Sequence, residues 1–217
     1  MRRLRLTFSR RDRLKWLSHL DMMRLWERAL RRAEVPLAFS HGYTPHPRIA
    51  MALPLPVGAE GESELMDVVV TEPVDLPALM ERLRPQLPEG VAVHSIEEVD
   101  LVGPSLQSRV RFADYAIRLA TRQSAVEIEA AVQRFLAQTE ALLETRRGKR
   151  VATLNIRALV TSLAVTGAGG GACELQMRLR SDSAGAGRPE EVARALGFEG
   201  PPLAIRRTRL VLDGEPA

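Results

Sequence analysis

Arg3-Leu4-Arg5-Leu6-Thr7-Phe8 and, a few residues on, Ser18-His19-Leu20-Asp21-Met22-Met23-Arg24-Leu25-Trp26-Glu27-Arg28-Ala29-Leu30-Arg31-Arg32 decide how this chain folds. In the first segment Leu4, Leu6 and Phe8 alternate with Arg3, Arg5 and Thr7, the period of a half-buried strand. In the second the period changes. Ser18-His19-Leu20-Asp21 has the form of a capping box, with Ser18 at the N-cap and Asp21 at N3. Leu20, Met23, Trp26 and Leu30 then recur at helical spacing as a core-facing stripe. Asp21, Arg24, Arg28 and Arg31 or Arg32 recur at the same spacing on another face. This predicts a helix over about 19–33, apolar on one side and basic on the other, closed by Val35-Pro36.

Working outward, Leu37 to Phe39 is short enough for one strand. A loop with four prolines follows from His41-Gly42 through Pro45-His46-Pro47-Arg48 to Pro54, Pro56 and Gly58, and long ordered loops often carry function. Leu65 to Val70 forms the next strand. Asp75 caps a helix whose Leu76, Leu79, Met80 and Leu83 fall on one face, and Val91 opens a further strand. The order is β-α-β-β-α-β. Beyond a linker-like Val102-Gly103-Pro104-Ser105, the order repeats with one extra strand. It comprises a strand near 110–119, a helix opened by the capping box Ser124-Ala125-Val126-Glu127, strands at 154–165 and 173–180, a helix at 189–196, and a strand at 205–212. The predicted class is α+β, with two tandem ferredoxin-like (βαββαβ) domains, residues 1–101 and 109–213, each with an antiparallel sheet.

Composition narrows the function. The chain has 217 residues, 45% apolar and only 4% aromatic, and no run nears the ~18 apolar residues of a membrane span. The N-terminus lacks the apolar region of a signal peptide. A single cysteine, Cys173, fits a reducing cytoplasm and excludes a disulfide framework. It also leaves the chain unable to supply the thiolates of an iron–sulfur cluster. No cofactor is expected. Residues 1–50 hold twelve lysines and arginines against four acids, and residues 59–100 hold eleven acids against two arginines. Further basic clusters are Arg146, Arg147, Lys149 and Arg150, then Arg206, Arg207 and Arg209. The segregation fits one face for a polyanion and another for a second partner, or charges that are separately solvated.

Gly167-Ala168-Gly169-Gly170-Gly171-Ala172 matches the form of a dinucleotide fingerprint, but strand-like alternation follows it where a helix is required. A hairpin loop is the better assignment. Gly148-Lys149 lacks the upstream glycine of a phosphate-binding loop. His41 and His46 lack companions at metal-ligand spacing, so no metal site is expected. His94 falls in a strand, as a structural residue. His19, at the first position of the first helix and beside its basic face, is the candidate general base toward a 2′-hydroxyl of RNA. It serves equally well as a residue that hydrogen-bonds the loop backbone and fixes its path. Arg24, Arg28 and Arg31 are the candidate phosphate contacts, with His46 and Arg48 shaping the site.

The run from Phe8 through Leu17-Ser18-His19-Leu20-Asp21, Arg24 and Glu27-Arg28-Ala29-Leu30-Arg31-Arg32 resembles a known family. Gly42-Tyr43-Thr44-Pro45-His46-Pro47-Arg48-Ile49 and Leu53-Pro54-Leu55-Pro56-Val57-Gly58 belong to the same pattern, as do Ile156-Arg157, Arg188-Pro189-Glu190-Glu191 and Arg206-Arg207-Thr208. This is the family of radical-SAM-linked proteins, found beside or fused behind cobalamin-binding radical SAM proteins. Over roughly the first 70 residues the chain is also similar to CRISPR repeat-processing endoribonucleases, tandem ferredoxin-like RNA binders. Together these resemblances imply an accessory module that presents a transfer or ribosomal RNA to a radical SAM enzyme. The alternatives are a metal-independent endoribonuclease using His19 and a protein-interaction scaffold without RNA.

Overall fold

The structure is a computed structural model, described over residues 1–147 and 150–215. Lys149 and the side chains of Arg146, Arg147 and Arg150 therefore lie outside the described residues. Two compact units, Met1–Val110 and Arg111–Ala217, divide the chain. Both mix helices with a mostly antiparallel sheet.

The first unit contains β1 (Arg2–Arg10), α1 (His19–Arg32), β2 (Ile49–Met51), β3 (Ala59–Val70), α2 (Leu76–Leu83) and β4 (Val91–Val99). The sheet order is β4-β1-β3-β2, every neighbour antiparallel. Leu4, Leu6 and Phe8 all enter the core, as the alternation of β1 predicts. The Ser18 hydroxyl accepts the Asp21 N–H at 3.2 Å and starts α1 where the capping box requires. The helix buries Met22, Trp26, Ala29 and Leu30, and Trp26 meets Phe8 edge-on with ring centroids 4.8 Å apart. Leu20, expected in that stripe, is instead exposed, and Met23 is half-buried. The apolar residues at 20, 22, 23, 25, 26, 29 and 30 fit more than one stripe of the same period. Trp26 and Leu30 belong to both stripes, and the core takes the one that runs through Met22 and Ala29.

α1 ends in a Schellman motif. The Val35 N–H reaches the Leu30 carbonyl at 3.1 Å and the Glu34 N–H reaches that of Arg31 at 3.1 Å, while buried Val35 and Leu30 share the core. Glu34 takes the left-handed position, φ 55°.

The stretch after α1 differs from its sequence reading. Leu37 and Phe39 make only isolated bridges, to Val70 and Pro47. The second strand lies instead at Ile49–Met51, inside the segment expected to be loop, and β3 begins at Ala59 rather than Leu65. Prolines 45 and 47 hide this strand from a propensity argument. Pairing with β3 supplies the order that local sequence does not.

The two charge blocks are partly joined inside the unit. β1 lies between β3 and β4, so its arginines meet their acids. Arg5 and Asp67 form a buried bidentate pair at 2.8 and 3.0 Å, Arg2 reaches Glu98 at 2.7 Å, and Lys15 reaches Glu60 at 3.6 Å. Three of the eleven acids of 59–100 are thus paired within the unit. The segment expected to be a linker is tied down as well. Arg3 donates to the Leu101 carbonyl at 2.6 Å, and the short α3 (Leu106–Arg109), capped by Ser105, buries Leu106.

The second unit contains β5 (Val110–Ala120), α4 (Ala125–Ala137), β6 (Leu142–Arg147), β7 (Arg150–Asn155), β8 (Val160–Gly169), β9 (Ala172–Asp182), β10 (Gly185–Ala186), α5 (Pro189–Ala195) and β11 (Ala204–Leu212). Its main sheet runs β11-β5-β9-β8, with β10 also on β9. The capping box at Ser124 and Glu127 is complete in both directions. The strand expected at 154–165 is two strands. A 3-10 turn at Arg157–Leu159 breaks it, held by the Arg157 guanidinium on the carbonyls of Leu136 (3.1 Å) and Val160 (2.9 Å). Among the described residues, β6 and β7 pair only with each other. Gly170 and Gly171, φ 59° and 78°, make a two-residue turn between paired Gly169 and Ala172, the primed geometry that suits strand twist. A strand follows the glycines, so they carry no pyrophosphate. The cluster read from Arg206, Arg207 and Arg209 is not one surface, because Arg207 is 1% exposed.

Candidate nucleic-acid interface

α1 presents the candidate residues in order. Arg24, Arg28 and Arg31 are exposed on the side opposite Met22 and Trp26. Arg24 lies 3.7 Å from Asp21, and Arg31 pairs with Glu27 at 2.8 Å. Both are exposed i,i+3 or i,i+4 pairs, weak enough in water for a phosphate to compete. Arg28 makes no ion pair among the described residues. Arg31 also lies 5.9 Å from the centroid of Phe39, which sets this end of the face beside the base of the following loop.

That loop is closed by two hydrogen bonds. The Ser40 N–H donates to the His46 carbonyl at 2.8 Å, and the His46 N–H donates to the Ser40 hydroxyl at 3.0 Å. The Arg48 N–H adds a bond to the Ala38 carbonyl at 2.8 Å. His41 to His46 are exposed, with Tyr43 fully so at the tip. Arg48 points to the Met1 sulfur at 3.9 Å. Among the described residues, no hydrogen bond or ion pair joins His46 or Arg48 to the arginines of α1. Of the arginines, Arg31 meets the loop base, through Phe39.

His19 stands elsewhere again. It is exposed and lines a cavity of about 10 Å³ with Phe8, Arg10, Met22, Leu55 and Glu64 among its walls, about the space of one water molecule. Arg10 is 2% exposed and Glu64 5%. The Arg10 guanidinium donates to the carbonyls of Ala59 (3.1 Å), Pro56 (3.2 Å), Lys15 (3.4 Å) and Leu17 (3.4 Å). It clamps the approach to α1 against the turn before β3, and so positions the helix end on which His19 sits. β3 carries one extra residue here, since Phe8 faces Glu64 while Arg10 faces Gly61. The Glu64 side chain lies over Gly61, where an added Cβ would come within 2.6 Å of it. Arg10 and Glu64 escape a sequence reading because each looks like one more surface charge.

Other chemistry is sparse. Among the described residues no three His, Cys, Asp or Glu side chains are grouped as metal ligands would be, and no helix is long and apolar enough to cross a membrane. His94, expected to be structural, is exposed on β4. Burial raises the Cys173 thiol above its ordinary pKa.

Three solved structures of similar fold are complexes of several components. A chain of a Cbf5–Nop10–Gar1 complex superposes with a TM-score of 0.55 at 11% identity, covering 95% of this chain and 48% of its own. A chain of an H/ACA ribonucleoprotein bound to a substrate RNA containing 2′-deoxyuridine gives 0.51 at 11%, covering 94% and 47%. A chain of an archaeal box H/ACA Nop10–Cbf5 complex gives 0.51 at 10%, covering 96% and 48%. The present chain thus spans about half the length of these structures, and at such identities the likeness is one of fold. No curated relative matches it. A family model does, over residues 3–189, and by that match the chain belongs to DUF2344, a family of uncharacterised proteins conserved in bacteria.

Proposed function

We propose that this chain is an RNA-binding module built from two ferredoxin-like domains, residues 1–101 and 109–213, which presents a transfer or ribosomal RNA to a radical SAM enzyme. The observation that carries the RNA reading is the basic face of α1, where Arg24, Arg28 and Arg31 stand exposed and engaged only in weak surface pairs. The fold reading draws on the strand order of both units: numbered within each, the main strands run fourth, first, third, second. The RNA reading also draws on the fold shared with a chain of an H/ACA ribonucleoprotein bound to a substrate RNA. The enzyme partner rests on the sequence resemblance alone.

Binding of transfer and ribosomal RNA across a salt series tests the interface. Each lost phosphate contact reduces the slope of log K against log salt by about one. Arg24→Ala and Arg28→Ala are each expected to do so, while His46→Ala lowers selectivity and leaves most of the slope. Parent-like binding by both arginine variants at every salt concentration would remove this face from the site. His19, exposed beside the cavity, supports a second outcome. Cyclic-phosphate ends released from RNA, and absent with His19→Ala, would make the protein a metal-independent endoribonuclease.

A further inference from the structure

Three of the nine aromatic residues are exposed, Trp16 at 65%, Phe39 at 40% and Tyr43 at 105%. All three fall between residues 16 and 43, the stretch that also carries the arginine face. Aromatic rings gain more than most side chains by leaving water, so rings left outside at both ends of α1 are candidates to bind a ligand that runs along the helix. Two of them have a cation at hand: Lys15 Nζ lies 5.8 Å from the Trp16 ring centroid, and the Arg31 guanidinium lies 5.9 Å from that of Phe39. Trp16 is also supported from one side. Gly58, φ 88°, donates its N–H to the Lys15 carbonyl at 2.8 Å, and a Cβ there would stand 3.2 Å from the benzenoid ring. The ring rests on bare backbone, and most of its surface stays open.

We propose, resting on the RNA-binding reading above, that the Met1–Val110 unit takes unpaired RNA, its bases stacked on Trp16, Tyr43 and Phe39 and its phosphates held by Lys15 and the arginines of α1. A duplex hides the faces of its bases, and the deep groove of A-form RNA does not admit such side chains. Unpaired bases can splay onto aromatic rings, and every base has a face to offer. Charge complementarity favours this ligand over a protein. The cores of protein interfaces are depleted of charge, whereas here Lys15 stands beside Trp16 and Arg31 beside Phe39.

The full chain is titrated with a single-stranded RNA 12-mer and with a 12-base-pair RNA duplex, following tryptophan emission and anisotropy of a labelled strand. The single strand is expected to bind at least tenfold tighter and to quench the exposed Trp16, while emission from Trp26, 0% exposed, persists. Trp16→Ala and Tyr43→Ala are each expected to weaken single-strand binding by about 5- to 150-fold, with the salt slope unchanged. Tyr43 is fully exposed, so its removal leaves the thermal midpoint in place and keeps the test sound if Trp16→Ala loosens the Gly58 contact. Equal or tighter duplex binding, or parent-like single-strand affinity in Tyr43→Ala, overturns the proposal. RNA binding would in that case survive through the arginine salt dependence. Binding to neither RNA overturns both readings and assigns the rings to a protein partner.

Discussion

Glu34 occupies a backbone position that suits glycine, φ 55° at the C-terminal end of α1. A side chain in the left-handed region costs about 1 kcal/mol, and the Schellman hydrogen bonds do not depend on it. Glu34→Gly is therefore expected to stabilise the protein by about 0.5–1 kcal/mol, seen as a higher urea midpoint at unchanged m. A loss of stability would mean that the carboxylate has a role the left-handed turn does not require. Arg5 and Arg2 form the informative contrast. Both pair with acids across β1, yet the Arg5–Asp67 side chains are 8% and 7% exposed and those of Arg2–Glu98 are 50% and 47%. Arg5→Ala leaves a buried carboxylate without its guanidinium and is expected to cost about 3–5 kcal/mol. Arg2→Ala should cost no more than about 0.5 kcal/mol, because water screens the exposed pair. Equal effects in chemical denaturation would contradict this. Cys173, 1% exposed and with its thiol pKa raised by burial, should react with a thiol reagent at neutral pH only as the protein unfolds.

At the scale of elements, local rules placed the helix starts and tertiary contact placed the strands. Ser18, Asp75, Ser105 and Ser124 each cap a helix through their own side chain, and three of these caps were legible as sequence motifs. The fullest is at α4, where Glu127 accepts the Ser124 N–H at 2.7 Å and its hydroxyl at 2.8 Å. Those hydrogen bonds, first the backbone and then the hydroxyl, hold the Glu127 carboxyl below its ordinary pKa. A depressed folded-state pKa contributes stability that is present above the unfolded value and lost as pH falls through the folded one. The difference in thermal midpoint between the parent and Glu127→Gln should thus be largest near neutrality and close on acidification. A difference that grows in acid would have the wrong sign. Ser124→Ala is expected to cost about 1 kcal/mol at neutral pH. No comparable local rule foretold β2, whose three residues follow two prolines and gain their geometry from β3.

Across the whole molecule, pairing decides which charges remain available. The sequence blocks invite a basic face and an acidic one, yet β1 is threaded between β3 and β4 and takes part of each block into internal pairs. The helix face stays outside, so the affinity for a polyanion should follow α1 rather than net charge. The same architecture orders local stability. β1 is flanked on both sides by long partners, whereas β6 and β7 form a two-stranded ribbon that pairs with nothing else, and such ribbons are marginal alone. Hydrogen exchange should find the slowest amides of the first unit in β1 and fast exchange in β6 and β7. Protection in that hairpin equal to β1 would require a partner surface for it.

The sequence by itself determined whatever depends on near neighbours along the chain: the alternation of β1, the caps of α1, α2 and α4, the exposed row of Arg24, Arg28 and Arg31, and the glycine turn between β8 and β9. These follow from periods of two and 3.6 and from side chains that reach only their own backbone. Only the tertiary structure decided which stripe of α1 turned inward, since Leu20 and Met22 belong to alternative stripes that share Trp26 and Leu30. It also decided that Arg5, Arg10 and Glu64 are buried while Trp16 and Tyr43 are not. Burial is a property of what packs against a residue from distant parts of the chain, and no local pattern encodes that partner.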